Sequence, residues 1–225
     1  MRDGILVVNK PKGMTSHDVV DAVRRCLGIR RVGHAGTLDP LATGVLVVLV
    51  GKCTSLFDRY QKLEKEYVAE LTLGVKMASG DAGSAILERK DFSHITREAA
   101  ADILRHFTGT LMQVPPMFSA LKFKGKKLYE LARKGIEVAR PARMIEVKEL
   151  KLLDFDLPRF RFYLKCSHGT YVRKLGEDIA EALGSVGYLS HLERHSVGSF
   201  TMDQAIELSR VNEAAIRQIP PAKEK

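Results

Sequence analysis

The sequence predicts an α+β fold, a mixed and largely antiparallel central sheet flanked by helices, and three observations predict it. Apolar runs of strand length recur along the chain, and two of them, residues 144–153 and 160–166, are close enough to pair directly. Other runs are separated by stretches of helical periodicity, so locally paired strands coexist with strand–helix alternation. No internal repeat, low-complexity tract or Gly/Ser-rich linker interrupts the 225 residues. That argues for one continuous domain with room for a substantial core.

Each element follows from local signals. Residues 4–9 read as a short buried strand that runs into Lys10-Pro11. Thr15-Ser16 offers an N-cap for a helix carrying Val19, Val20, Ala22, Val23 and Leu27, closed by Gly28. A glycine-rich loop comes next, and residues 45–50, the longest apolar stretch, form a second buried strand. Residues 67–73 alternate as a strand ending at Gly74. Thr96 caps a helix with Ile103, Leu104 and Phe107 on one face. Pro115-Pro116 then breaks the chain, and a lysine-rich loop leads into a short helix around residues 128–133. After the two paired strands, a helix over about residues 171–183 ends at Gly184. Pro220-Pro221 and the closing Lys-Glu-Lys read as a frayed tail.

Composition narrows the function classes. With 45% apolar and 28% charged residues the chain is globular rather than disordered. No apolar run approaches the ~18 residues of a membrane-spanning helix. Residues 4–9 are also too short for a secretion signal, so a cytoplasmic location is expected. Thirty-six Lys plus Arg against 27 Asp plus Glu give a net charge of +9. An excess of that size favours a polyanionic partner, most commonly nucleic acid. Cys26, Cys53 and Cys166 are too widely spaced for a zinc pattern, and their apolar neighbours suit buried, reduced thiols. His191 and His195 stand four apart, as in a helical metal pair. The intervening Leu-Glu-Arg does not match H-E-x-x-H and no third ligand is evident, so no metal is expected. Gly80-Asp-Ala-Gly-Ser84 lacks the Gly-Lys-Ser/Thr ending of a phosphate-binding loop. Ser167 and His168 are adjacent, and side chains adjacent in sequence rarely face one another.

The segment richest in chemistry is Gly33-His-Ala-Gly-Thr-Leu-Asp-Pro-Leu-Ala-Thr-Gly-Val-Leu46. Gly33, Gly36 and Gly44 bracket a single carboxylate in a loop that ends in a buried strand, and glycine lets a backbone approach a ligand closely. Pro40 biases Asp39 away from helical backbone angles and stiffens it. A carboxylate on a stiff loop above a strand suits a nucleophile or base, whereas an Asp-Pro pair by itself is most often only a turn. Downstream, Lys122, Lys124, Lys126 and Lys127 interleave with Phe123 and Tyr129, a pattern that suits phosphates and exposed bases; a solvated charged loop has the same composition. Arg30 and Arg31 beside the carboxylate loop are a second candidate phosphate contact.

The carboxylate segment resembles the catalytic signature of the TruB-type tRNA pseudouridine synthases, and four further segments match in order. They are Asn9-Lys-Pro-Lys-Gly-Met-Thr-Ser16, Lys65-Glu-Tyr-Val-Ala-Glu-Leu-Thr-Leu-Gly74, Gln113-Val-Pro-Pro-Met-Phe-Ser-Ala-Leu-Lys122 and Ser167-His-Gly-Thr-Tyr-Val-Arg-Lys-Leu175. The resemblance spans nearly the whole chain. It implies that Asp39 is the catalytic aspartate, that Tyr67 stacks on the target base and that Arg173 pairs with the catalytic carboxylate. Asp81 falls on a second acidic partner of that arginine. His34 falls on a histidine at the RNA-facing lip associated with displacing the target nucleotide. Leu192 matches an apolar residue of the base pocket, and Lys10 a lysine beside it. The implied reaction is isomerisation of the uridine at position 55 of the tRNA T-loop, without cofactor, by a monomeric enzyme whose partner is the T-arm. Breaking an N-glycosidic bond and rejoining the base through carbon involves no net redox change, so no electron carrier is demanded. An ordinary aspartate is already ionised near neutrality, so aiming the carboxylate is the larger contribution of an adjacent guanidinium. Extruding the base costs a few kcal/mol, of which stacking on an aromatic ring recovers roughly 1–3 kcal/mol.

The chain departs from the family in two places. Met77-Ala-Ser-Gly-Asp-Ala-Gly-Ser84 has Ala78 and Ser84 where relatives commonly carry an acidic residue and a glycine. The sequence also stops at Lys225, where most relatives continue into a small C-terminal RNA-binding domain. The expected organisation is a catalytic domain over 1–212 and a tail over 213–225 with no such domain, with weaker RNA affinity and retained chemistry. Two other readings compete with the tRNA enzyme: the same chemistry on another RNA, and a module that binds or folds tRNA with Asp39 incidental.

Overall fold

Residues 5–8 are apolar on both sides of the backbone, and in the computed structural model, which describes residues 3–218, they form the centre of strand β1 (Gly4–Lys10). Thr15 caps α1 (Ser16–Leu27) through a reciprocal capping box with Asp18, and Gly28 ends it in the left-handed conformation at φ 65°. The glycine-rich stretch begins as a short strand, β2 (Val32–His34), and after the loop carrying Asp39 comes β3 (Thr43–Val50). A 3-10 turn (Gly51–Leu56) and the short α2 (Phe57–Gln61) then lead into β4 (Lys65–Leu73).

Next come β5 (Val75–Met77) and β6 (Ile86–Arg89), α3 (Arg97–His106) capped by Thr96, and β7 (Gly109–Gln113). The lysine-rich loop is a small hairpin, β8 (Lys122–Phe123) and β9 (Lys126–Lys127), followed by α4 (Leu128–Ala132). The expected long strands are β10 (Arg143–Asp156) and β11 (Arg159–Cys166), paired antiparallel. Then follow α5 (Val172–Ala182), β12 (Gly187–Val197), β13 (Phe200–Thr201) and β14 (Ile206–Glu207). The described residues divide into two compact units, one of residues 3–68 with 192–218 and one of residues 69–191. Strands β4 and β12 each run through both.

In the first unit the strand order is β14-β1-β3-β12, with β2 on β3 and β13 on β12. β1 and β3 are antiparallel over their full length, whereas β14 joins β1 and β12 joins β3 in parallel, so the sheet is mixed. Alternate side chains of β1 and β3 enter two cores. Leu6, Val8, Leu46, Val48 and Val50 meet Val19, Val20 and Val23 of α1. Ile5, Val7, Val45, Val47 and Leu49 meet Ala35, Tyr60 and Val197. Burial of both faces is why these strands are continuously apolar rather than alternating. Arg217 pairs its backbone with Ile5. The expected tail residues Pro220-Pro221 lie outside the described residues.

The second unit continues β12-β4-β11-β10-β7. On β11, Phe160, Phe162, Leu164 and Cys166 are buried while Arg159 and Arg161 are exposed, the alternation of a half-buried strand. β10 changes parity: Ile145 and Val147 are buried, then Leu150, because a register shift between Val147 and Glu149 moves the next residues to opposite faces. One expectation is corrected: Cys53 and Cys166 are buried, but Cys26 is exposed, on the solvent side of α1, with its Sγ donating to the Val211 carbonyl at 2.9 Å. Among the described residues no helix is long and apolar enough to cross a membrane.

Candidate active site

Asp39 sits between β2 and β3 in a loop whose backbone is fixed at every carbonyl from Gly36 to Pro40. The guanidinium of Arg194 donates to Gly36 and Thr37 at 3.2 and 3.4 Å. Ser16 Oγ donates to the Leu38 carbonyl at 3.1 Å and accepts from the Leu38 amide at 2.8 Å. The Asp39 carbonyl accepts from Ala42, and that of Pro40 from Gly13 at 2.7 Å and from Lys10 Nζ at 3.2 Å. Pinning on this scale fixes the backbone that carries the Asp39 carboxylate before any ligand arrives.

Lys10 is 0% exposed, and its ammonium is met by the carbonyls of Pro11 (2.9 Å), Met14 (2.6 Å) and Pro40. Burial pushes its pKa down to about 8; the nearby Asp39 charge opposes the fall, while that of Arg194 adds to it. His34, at the end of β2, has a pKa pushed down to about 4, by burial first and then by the Arg194 and His17 charges. Its ring is therefore neutral at physiological pH. Tyr67 and Leu192 are both buried, on β4 and β12. The first unit thus holds Lys10, His34, Asp39, Tyr67 and Leu192, and places Lys10 and Asp39 as electrostatic neighbours.

Arg173 and Asp81 belong to the second unit. Arg173, buried in the first turn of α5, donates to the carbonyls of Ser79 at 2.5 Å and Phe118 at 2.8 Å. Ser79 Oγ in turn donates to the Asp81 carboxylate, so arginine and acid share one serine. Asp81 bridges in parallel to Leu189 of β12. Ser84, one of the departures from the family pattern, accepts from the Ser79 amide at 3.1 Å and helps to close the loop.

The lysine-rich hairpin turns on Lys124 (φ 47°) and Gly125 (φ 83°), both left-handed as a tight two-residue turn requires. Its four lysines and Phe123 are exposed. Lys127 and Arg133 each lie 5.5 Å from the Tyr129 ring centroid. Arg31 is exposed and donates to Thr54 at 2.7 Å. His191 and His195 lie on a strand, where four residues span about 13 Å, a spacing that a shared ion does not bridge. His195 turns its Nε2 to Glu193 instead, at 3.0 Å.

Ser16 is marked in the sequence as part of a helix cap and a matched segment but not as a loop anchor, and Arg194 is not marked at all. Arg194 stands two residues after Leu192 and belongs to none of the five matched segments.

Residues 24–172 match the model of the TruB family pseudouridylate synthase N-terminal domain. A protein of Hydrogenovibrio crunogenus called tRNA pseudouridine synthase B is 44% identical over 209 residues, covering 93% of this chain and 69% of that protein. One of the same name from Geotalea uraniireducens is 48% identical, over 92% of this chain and 66% of its own length. Among solved structures, a chain from a Cbf5-Nop10-Gar1 complex superposes with a TM-score of 0.72 at 28% identity, over 92% of this chain and 52% of its own. The chain therefore spans about two thirds of the length of these curated relatives and about half of that solved chain. With well over half of its residues matched by the family model, and with relatives this similar, the chain belongs to the TruB family of pseudouridylate synthases.

Proposed function

We propose that this chain converts a uridine of RNA, at position 55 in the T-loop of tRNA, into pseudouridine, with Asp39 as the reacting carboxylate. The observation that carries this is the Asp39 loop itself, in which every carbonyl from Gly36 to Pro40 is committed to a hydrogen bond. A turn with a merely structural aspartate has no use for that degree of fixation. Family membership and the shared name of the two bacterial relatives point to tRNA as the RNA.

In this reading the target nucleotide leaves its stack, its base rests on Tyr67, and Leu192 contributes an apolar wall. His34 acts as a neutral, shape-filling and hydrogen-bonding group during extrusion. Arg173, steadied by Asp81 through Ser79, aims the Asp39 carboxylate. The glycosidic bond breaks, the base turns, and carbon replaces nitrogen at the sugar, the carbon losing the proton that the nitrogen's valence regains; substrate and product are isomers, so the reaction demands no redox cofactor. The enzyme acts as a monomer in the cytoplasm, on the T-arm, with the lysine-rich hairpin on phosphates.

Incubation with an unmodified tRNA transcript followed by carbodiimide mapping tests the proposal. The expected result is one new pseudouridine in the T-loop, abolished by Asp39→Asn while the RNA Kd changes by less than about threefold. An Asp39→Asn protein of undiminished activity would instead favour a tRNA-binding module. Product on other RNAs but not on tRNA would move the same chemistry to another substrate.

A further inference from the structure

Arg194 is one of the largest fully buried side chains, 1% exposed, yet among the described residues its guanidinium is met by backbone carbonyls alone. Nε donates to Val45 at 2.7 Å, Nη1 to Thr37 at 3.4 Å and Nη2 to Gly36 at 3.2 Å. A buried cation without a carboxylate is an expensive way to fill space, because desolvation is offset only by dipoles. An apolar side chain of similar volume would serve a purely structural core better. The three carbonyls are not scattered. Two lie at the entry of the Asp39 loop and one in β3 just after its exit, so a single planar group ties both ends of the segment together.

The surroundings are built to keep it there. Arg194 pairs in parallel with Gly44, whose φ of +99° lets the two backbones touch; a Cβ at that position would lie 2.3 Å from the Arg194 carbonyl oxygen. Its charge also helps to hold His34 neutral and lowers the proton affinity of Lys10.

We infer that Arg194 is a positioning residue for the reaction: it fixes the loop so that the Asp39 carboxylate is presented in one orientation. The inference rests on the reading of Asp39 as the reacting group. Arg194 touches neither RNA nor the reacting atoms, so its contribution falls on the chemical step and not on binding.

The test is single-turnover pseudouridine formation on unmodified tRNA by the full chain, with Arg194→Lys, Arg194→Met and Asp39→Asn beside wild type. At saturating enzyme a single-turnover rate constant does not depend on the fraction of protein that is folded, so lost stability alone leaves it unchanged. Arg194→Met is expected to slow this step about 100-fold with the RNA Kd within threefold. Arg194→Lys, with one ammonium for three carbonyls, should recover about tenfold of that loss. If the Met protein does not fold, the Lys protein carries the test, and a wild-type rate for it overturns the inference. So does a Met protein with an unchanged rate constant, or one whose defect lies in RNA affinity alone. An active Asp39→Asn protein would overturn the reading of Asp39 instead, whatever the Arg194 variants do.

Discussion

His34 binds a proton less readily in the folded chain than in the unfolded one, with a pKa of about 4 against an ordinary 6.5, mainly because its half-buried ring is desolvated. Between those values the unfolded chain carries a proton that the folded chain refuses. The group's contribution to stability is therefore complete above about pH 6.5 and is lost as pH falls toward 4. His34→Gln removes that titration, so its denaturation midpoint should fall less steeply than wild type from pH 6.5 to about 4.5; parallel slopes would contradict the assignment. Ser16 is the other residue whose role is concentrated in one atom, since its Oγ both donates to and accepts from Leu38. Ser16→Ala leaves a buried amide and carbonyl unmatched, and a loss of about 2–3 kcal/mol is expected in urea titrations. The candidate carboxylate, Asp39, was legible in the sequence because it sits in a dense glycine–proline context within a matched motif. Arg194 was not, because partners that are all carbonyls leave no trace in side-chain identity.

At the scale of elements, legibility followed how evenly each element buries its faces. β1 and β3 bury both and announce themselves as apolar runs, while α1 and α3 carry their caps in Thr15 and Thr96. β12 was hidden. Its buried positions Gly187, Leu189, Leu192, Arg194, Ser196 and Val197 include a charged and a polar residue, and their alternation slips by one residue between Leu189 and Leu192. β10 was read as a strand, yet two register shifts disguise which side chains face inward. The lysine-rich stretch reads as a loop because the hairpin turn uses a lysine at positive φ, a conformation sequence rarely reveals outside Gly and Asn. The parallel contact of β3 with β12 is the element-level weak point, since it depends on Gly44 having no side chain. Gly44→Ala introduces both a strained φ and a backbone clash, and should cost about 2–4 kcal/mol in thermal or urea unfolding. Gly13→Ala, also at positive φ but with nothing within 4 Å of the added Cβ, should cost less, about 1 kcal/mol.

For the molecule as a whole the decisive quantity is charge. A net +9 sets up an attraction to RNA that needs no sequence recognition and weakens with salt as condensed counterions are released. If about five phosphates are neutralised, log Kd against log salt should have a magnitude of roughly 3.5–4.5. The exposed hairpin supplies Lys122, Lys124, Lys126 and Lys127, with Lys124 5.6 Å from the exposed Phe123 ring. If that hairpin tracks the backbone, replacing the four lysines with alanine removes roughly three units of the slope, at about 0.7–0.9 per phosphate. Because these contacts position the RNA and do not react with it, the single-turnover rate at saturating enzyme should stay within about threefold of wild type while affinity at low salt falls by orders of magnitude. A quadruple variant with an unchanged slope would place the phosphate contacts elsewhere, with Arg30 and Arg31 the next group to replace. A variant that loses the chemical step as well would mean that the hairpin also shapes the site, and that affinity and catalysis are not separable in this chain.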